Sequence, residues 1–191
     1  PVRWVMIAAP FATGVSFYVF YALQPFLLEL YGDAKAYSVA GLIAALVACA
    51  QIAGGFTAPH LRKLFTRRTT ALILGVVITG LILVAVSVVN NFILALILIF
   101  LWGLIFATLM PIRQAYLNGL IPSAQRATVL SFDGLMGSSG GIFIQPVLGK
   151  VADIYSYPVS YGVAALFQWA SLPFIYLARR ERPSSDVIEK S

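Results

Sequence analysis

Long stretches without ionisable side chains dominate this chain. Residues 4–28 and 36–59 contain no Asp, Glu, Lys, Arg or His, and residues 69–112 form a third such stretch that is far longer. A helix that crosses the hydrocarbon core of a bilayer needs about 20 apolar residues. The first two stretches therefore each predict one membrane-spanning helix, and the third is long enough for two.

Two further features complete a set of six predicted spans. Asn90-Asn91 is a turn signal in the middle of the third stretch. Residues 127–148 are apolar apart from Asp133, and we expect Gly149-Lys150 to end that helix. The predicted spans are residues 4–28, 36–59, 71–89, 92–112, 127–148 and 157–178. Residues 1–180 thus form one six-helix transmembrane domain, and residues 181–191 a polar tail that we expect to be mobile.

The composition agrees with an all-α membrane protein. Hydrophobic residues make up 60% of the chain and charged residues 10%, whereas a soluble domain carries about 25% charged residues. The net charge of +6 does not indicate nucleic-acid binding, because the cations lie between apolar runs. Strands of a membrane β-barrel would alternate in polarity over segments of about ten residues, and these runs are continuous.

The distribution of Lys and Arg predicts the orientation. If spans alternate in direction, 11 of the 13 Lys and Arg residues fall on the side of the N-terminus, and only Lys35 and Lys150 fall on the other. Positive residues concentrate in cytoplasmic loops. We therefore expect both termini in the cytoplasm of a cell-membrane protein. The residues on the expected cytoplasmic side are Arg3, Arg62, Lys63, Arg67, Arg68, Arg113, Arg126, Arg179, Arg180, Arg182 and Lys190.

An internal similarity favours two inverted three-helix repeats. Residues 25–32 (PFLLELYG) end the first span, and residues 111–119 (PIRQAYLNG) end the fourth. Each segment has a proline, then a charge, a tyrosine and a glycine. Three spans separate the two segments, so they point in opposite directions. Inverted repeats with paired proline-interrupted helices are typical of secondary transporters.

Small residues in two spans predict close helix contacts, because they let backbones approach each other. In the second span they form two adjacent stripes, and in the fifth they form a cluster. The residues are Ala40, Ala44 and Ala48; Gly41, Ala45, Cys49 and Ala53; and Gly134, Gly137, Ser138, Gly140 and Gly141.

Two segments resemble the major facilitator superfamily. Residues 120–131 (LIPSAQRATVLS) are similar to the family's Pro-x-x-x-Arg-Ala entry into span eleven, and residues 145–153 (QPVLGKVAD) to its Pro-x-x-Gly-x-x-x-Asp exit. The resemblance implies the C-terminal half, spans seven to twelve of twelve. Pro59 stands where the family's basic loop often has aspartate. Because Pro1 is not an initiator, we expect a fragment or a processed chain, whose partners are membrane lipid and a missing N-terminal half or a second copy.

The resemblance also implies a function. It indicates ion-coupled secondary active transport by alternating access. The side chains expected in the wall of a central cavity favour a small organic solute and drug or metabolite efflux. Asp133 is the one acid inside a predicted span, and such a group is a functional candidate. We expect it to pair with Arg113 or Arg126 and to act as a cytoplasmic gate, while a proton-coupling role or simple snorkelling stays open.

By the same resemblance, the first and fourth spans line a central cavity. Aromatic, amide and thioether side chains of these and neighbouring spans are candidates to form its wall. Helix packing or lipid contact is the alternative for the aromatic residues, and an interhelical hydrogen bond is the alternative for Gln24 and Gln145. Such a wall suits an amphipathic or lipophilic solute. The candidates are Tyr18, Tyr21, Gln24, Gln51, Trp102, Phe106, Met110 and Gln145.

Two other classes of protein remain as alternatives. A free-standing six-span protein could work as a homodimeric transporter. An intramembrane enzyme is disfavoured because His60 is the single histidine and no HExxH, CxxC or phosphate-binding Gly-x-x-x-x-Gly-Lys loop occurs. We therefore predict no catalytic residues, no metal and no cofactor.

Overall fold

Six long apolar helices form the structure. A computed structural model describes residues 1–188, except for the side chains of residues 61–63. The prediction of six spans in an all-α protein is confirmed, and no strand occurs among the described residues. The helices are α1 (Val2–Tyr31), α2 (Tyr37–Leu64), α3 (Arg68–Val88), α4 (Phe92–Leu120), α5 (Arg126–Ile154), α6 (Tyr157–Ala170) and α7 (Leu172–Arg180).

The boundary between α3 and α4 lies where the asparagine pair predicted it. The side chain of Asn91 accepts a hydrogen bond from the backbone N–H of Leu94 at 3.0 Å, which satisfies one of the free donors in the first turn of α4. The end of α5 was predicted wrongly. This helix continues through Gly149 and Lys150 to Ile154, because a half-buried glycine and an exposed lysine interrupt neither its hydrogen bonds nor its packing.

The sixth span is divided in two. α6 ends at Ala170, Ser171 lies between the helices, and α7 begins at Leu172. Pro173 follows in the first turn of α7, where its missing N–H and ring interrupt the helical hydrogen bonds. The Ser171 hydroxyl donates to the carbonyl of Gln168 at 2.7 Å. The carbonyl of Gln168 at the break therefore has a local hydrogen-bond donor.

Two helix pairs organise the bundle. α1 packs along α5, α2 packs along α4, and α3 lies against both α4 and α6. Glycines sit at both crossings. A β-carbon at Gly140 would overlap the carbonyl oxygen of Pro10, and one at Gly54 would lie 2.6 Å from the carbonyl oxygen of Leu104. These positions admit no side chain, so the glycines set how closely each pair approaches.

The small residues of α2 mostly lie on the surface of this bundle, so the close contacts predicted for the two stripes are not made within it. Gly41, Ala44, Ala45, Ala48 and Cys49 are exposed. The buried face of α2 instead carries Ile43, Val47, Ala50, Gly54 and Ala58, and Ile43 and Val47 belong to the hydrophobic core. The glycine cluster of α5 is divided, with Gly137 and Gly140 buried and Gly134 and Ser138 exposed.

The start of the C-terminal tail is docked, so the expectation of a mobile tail is wrong for these residues. The Asp186 carboxylate accepts from the backbone N–H and the hydroxyl of Thr69, both at 2.8 Å. Ile188 is buried, and its N–H donates to the carbonyl of Thr66 at 3.0 Å. Residues 189–191 lie outside the described part of the chain. Asp186 supplies the cap that Arg67, at the start of α3, lacks.

Candidate functional site

A groove runs beside the α1–α5 pair and brings three of the predicted residues together. Tyr18 and Tyr21 of α1 line it from one side and Gln145 of α5 from the other. Asp153 of α5 and Tyr157 of α6 complete the wall of this groove, which encloses about 250 Å³. We call it the α1–α5 groove. Its surface mixes phenol rings, an amide and a carboxylate, so it can contact both apolar and charged groups.

A second groove lies beside the α2–α4 pair. Gln51 of α2 faces Phe106, Met110 and Gln114 of α4 across a space of about 410 Å³. We call it the α2–α4 groove. Three predicted residues, Gln51, Phe106 and Met110, are thus grouped together, although no residue from α1 joins them. Its wall is neutral and combines amides with apolar groups.

Two of the candidates lie outside both grooves. Trp102 is only 2% exposed, and it packs against Phe20 and Phe106 with ring centroids 5.4 Å and 5.3 Å away. Trp102 therefore does not lie in a cavity wall as predicted, because its indole ring fills the core between α1 and α4. Gln24 is exposed one turn beyond Tyr21 and lines neither groove.

A buried ion pair joins α4 and α5. Arg113 donates two hydrogen bonds to Asp133, at 2.8 Å and 2.6 Å, and the two side chains are 19% and 7% exposed. Parallel bonds of this kind fix the geometry of both groups. Arg126 is exposed and makes no ion pair with Asp133. The structure thus brings Asp133 to Arg113 rather than to Arg126.

The pair connects two helices that have few other contacts with each other. α4 packs mainly on α2 and α3, and α5 packs mainly on α1 and α6. Arg113 and Asp133 each lie seven residues, about two turns, from the ends of their helices at Leu120 and Arg126. The Asp133 carboxylate, 7% exposed, is stable in this position only while it stays paired with the partly buried Arg113. The contact therefore depends on the one arrangement of α4 and α5 in which both hydrogen bonds form.

Several polar contacts were missed from the sequence. Gln168 donates to the hydroxyl of Thr79 at 3.2 Å, and the hydroxyls of Thr57 and Thr108 lie 2.8 Å apart. Gln168 also lines a small apolar cavity of about 70 Å³. A polar residue within an apolar run is the signal that could have found them, since such groups need protein partners in a membrane.

Asp153 and Tyr157 were also missed as groove residues. Gln145, Gly149 and Asp153 are spaced four residues apart, which places them on one face of a continuous helix. The sequence prediction ended α5 at Gly149-Lys150 and so removed Asp153 from that face. A correct helix end would have placed the carboxylate with Gln145.

These features define a multi-pass helical membrane protein with two surface grooves and an ion pair between two of its helices. The sequence profile of the Major Facilitator Superfamily matches residues 7–191, and the chain belongs to that family. A search of curated proteins gives no significant match. Members of this superfamily are transporters rather than enzymes, and they move solutes across membranes. The chain is thus a multi-pass membrane protein of a solute-transport family.

Proposed function

We propose that this chain is the C-terminal half, spans seven to twelve, of a secondary transporter that moves a small organic solute by alternating access. The observation that carries the proposal is the Arg113–Asp133 pair. It bridges two helix pairs at one end of the bundle and can open or close as a unit. An ion gradient drives the cycle, and solute binds in the grooves beside the paired helices.

The arrangement of the helices supports two inverted repeats. If α1–α3 correspond to α4–α6 in order, the α1–α5 contact corresponds to the α4–α2 contact. The α3–α6 contact then corresponds to itself, and all three contacts are among the principal ones. This exchange is what a twofold axis in the membrane plane produces.

A second six-helix unit would cover the exposed small residues of α2 and α5. Gly41, Ala45 and Cys49 on α2, and Gly134 and Ser138 on α5, are exposed. Without a hydrophobic driving force in lipid, helices associate through small residues that allow close packing. These faces therefore suit contact with the missing half, or with a second copy of this chain.

The positions of the chain ends support the proposed orientation. The indole N–H of Trp4 donates to the Glu181 carboxylate at 2.8 Å, so the start of α1 and the end of α7 lie together. Arg67, Arg126 and Arg180 belong to helix ends on this same side. We assign it to the cytoplasm by the excess of positive residues.

The groove walls support an organic solute. Their tyrosine, phenylalanine, methionine and glutamine side chains contact apolar groups and offer a few hydrogen bonds, which is typical of sites for organic molecules. Export of a drug or metabolite fits this wall, because amphipathic compounds that enter through lipid are suitable ligands.

A photo-crosslinker on Cys49 tests the half-transporter proposal. Cys49 is the single cysteine, and it is exposed on the small-residue face of α2. After attachment of benzophenone-maleimide in native membranes, we expect adducts with a six-helix unit that precedes this chain in the same polypeptide. The matched control is Cys49→Ala with Leu81→Cys, which places the label on an exposed position of α3 and should give lipid adducts.

The other outcomes separate the alternatives. Adducts between two Cys49 regions would replace the half-transporter proposal with the homodimer. Lipid adducts alone at both positions would contradict any second unit on this face.

A further inference from the structure

The α1–α5 groove combines aromatic rings with a carboxylate. Tyr18, Tyr21 and Tyr157 line it together with Asp153. Tyr18 is 5% exposed and Tyr21 is 77% exposed, so the groove has one ring set in its wall and another at its edge. Tyrosine faces are electron-rich and attract cations, more strongly when the cation is desolvated.

The charge of the groove is negative. Asp153 is exposed within it, and both Asp153 and Glu29 lie within electrostatic reach of the Tyr157 hydroxyl. Lys150 is also exposed at this end of α5, but it does not line the groove. A cation that enters therefore meets a carboxylate without first displacing a bound lysine or arginine.

Part of the wall has unused hydrogen-bonding capacity. The buried hydroxyl of Tyr18 has no partner within hydrogen-bonding distance among the described residues. The Ser160 hydroxyl is near enough to interact with it, but it donates to the carbonyl of Leu148 at 2.7 Å. A buried polar atom normally has a partner. The free Tyr18 hydroxyl is consistent with a groove that receives a ligand or water.

The α2–α4 groove lacks this combination. Its wall contains Gln51 and Gln114 but no carboxylate and no tyrosine. Arg113, next to Gln114 in α4, does not line this groove and is already held by Asp133. The two grooves therefore differ in the charge of ligand that they suit.

We propose that the α1–α5 groove binds a monovalent organic cation of the substituted-ammonium class. Asp153 neutralises the charge, the tyrosine rings contact the ammonium substituents, and the Gln145 amide supplies a neutral polar contact. This inference names the class of solute and rests on the proposed transport function. It concerns binding, so it can be tested without transport.

The test uses a charged ligand and its uncharged isostere. Benzyltrimethylammonium and neopentylbenzene have nearly the same shape, but only the first carries a charge. Isothermal titration calorimetry of the chain in nanodiscs should detect benzyltrimethylammonium, with an affinity at least about tenfold above that of neopentylbenzene. Equal affinities for the two compounds, or no binding of the cation, would overturn the inference.

Matched variants locate the site. Asp153→Asn should weaken cation binding about tenfold or more, whereas Asp33→Asn, an exposed position in the α1–α2 loop, should leave it unchanged. Tyr21→Phe keeps the ring and should retain most of the affinity, whereas Tyr21→Leu should lose several-fold. Helix content and melting temperature, measured for each variant, separate a lost site from a lost fold. Unchanged binding in a folded Asp153→Asn variant would overturn the assignment.

A transport assay distinguishes this inference from the proposed function. If the complete transporter moves other organic solutes while the cation does not bind, only the substituted-ammonium inference falls. If the cation binds as described but reconstituted vesicles show no gradient-driven flux of any solute, the binding site stands and the transport proposal fails.

Discussion

The α1–α5 pair and the α2–α4 pair have similar packing but different chemistry. Each closes on a glycine, Gly140 in one and Gly54 in the other, that faces backbone of the partner helix. The groove beside the first pair holds tyrosines and Asp153, and the groove beside the second holds glutamines and Met110. The glycine crossings therefore fix how the helices pack, while the residues of the groove walls can differ in charge without changing that packing.

The largest expected effect comes from breaking the link between the two pairs. Arg113→Ala leaves Asp133, which is 7% exposed, as an unpaired buried charge. Loss of one partner from such a pair costs about 3–5 kcal/mol, and we expect a loss of about 3 kcal/mol in the free energy of unfolding in detergent. Arg126→Ala is the control and should change it by less than about 0.5 kcal/mol. Equal unfolding midpoints for both variants would contradict the structural role of the pair.

The second effect compares the two crossings directly. Gly140→Ala puts a methyl group against the carbonyl of Pro10, which is backbone and cannot turn away. We expect a destabilisation of about 2–3 kcal/mol by thermal unfolding, and a comparable loss for Gly54→Ala. Gly149→Ala in α5 meets no heavy atom within 4 Å and should be neutral or slightly stabilising. Similar melting temperatures for all three variants would show that glycine does not set the approach of the pairs.

The third effect concerns the docked tail, which contacts α4 and the start of α3. Asp186→Ala removes the acceptor for the N–H and hydroxyl of Thr69. Loss of a helix cap costs about 1 kcal/mol, and amide hydrogen exchange at Thr69 should accelerate with it. Ser184→Ala, at an exposed position of the same segment, should leave the exchange rate unchanged. Protection of the Thr69 amide in Asp186→Ala would show that the tail does not cap α3.

The smallest effect tests whether the two grooves act separately. Gln51→Leu changes the wall of the α2–α4 groove only. The dissociation constant of benzyltrimethylammonium should stay within about twofold, because this change leaves the carboxylate and tyrosine rings of the α1–α5 groove intact. A loss of affinity as large as that expected for Asp153→Asn would show that the cation binds in the α2–α4 groove instead.

The sequence predicted the spans well because hydrophobic length is a local property. The six apolar runs, the Asn90-Asn91 turn and the all-helical class needed no information about neighbours. The ends of α5 and the break at Ser171 were harder to predict. Lys150 was taken as a stop although an exposed lysine extends a helix readily, and Pro173 lies close to the end of a run where its effect on the helix is easily missed.

Contacts between distant segments could not be predicted from one sequence. Asp186 lies 117 positions from the Thr69 amide that it caps. The small residues of α2 predicted a helix contact, but nothing in their spacing says whether the contact lies inside this bundle or on its surface. Asp133 was recognised as unusual because it is the one acid inside a predicted span. That it pairs with Arg113 rather than Arg126 depends on how α4 and α5 pack, which the sequence does not show.

A charge exchange at the link between the helix pairs tests the central claim most directly. Solute flux is measured in proteoliposomes that contain the complete transporter with Arg113→Asp, Asp133→Arg, or both, and with Arg126→Ala as the control. The account predicts that each single change lowers flux at least about tenfold and that the double exchange restores a substantial part of it, because the two charges again form a pair. Flux in the double variant no higher than in the single variants, or normal flux in either single variant, would contradict the claim that this ion pair couples the two helix pairs during transport.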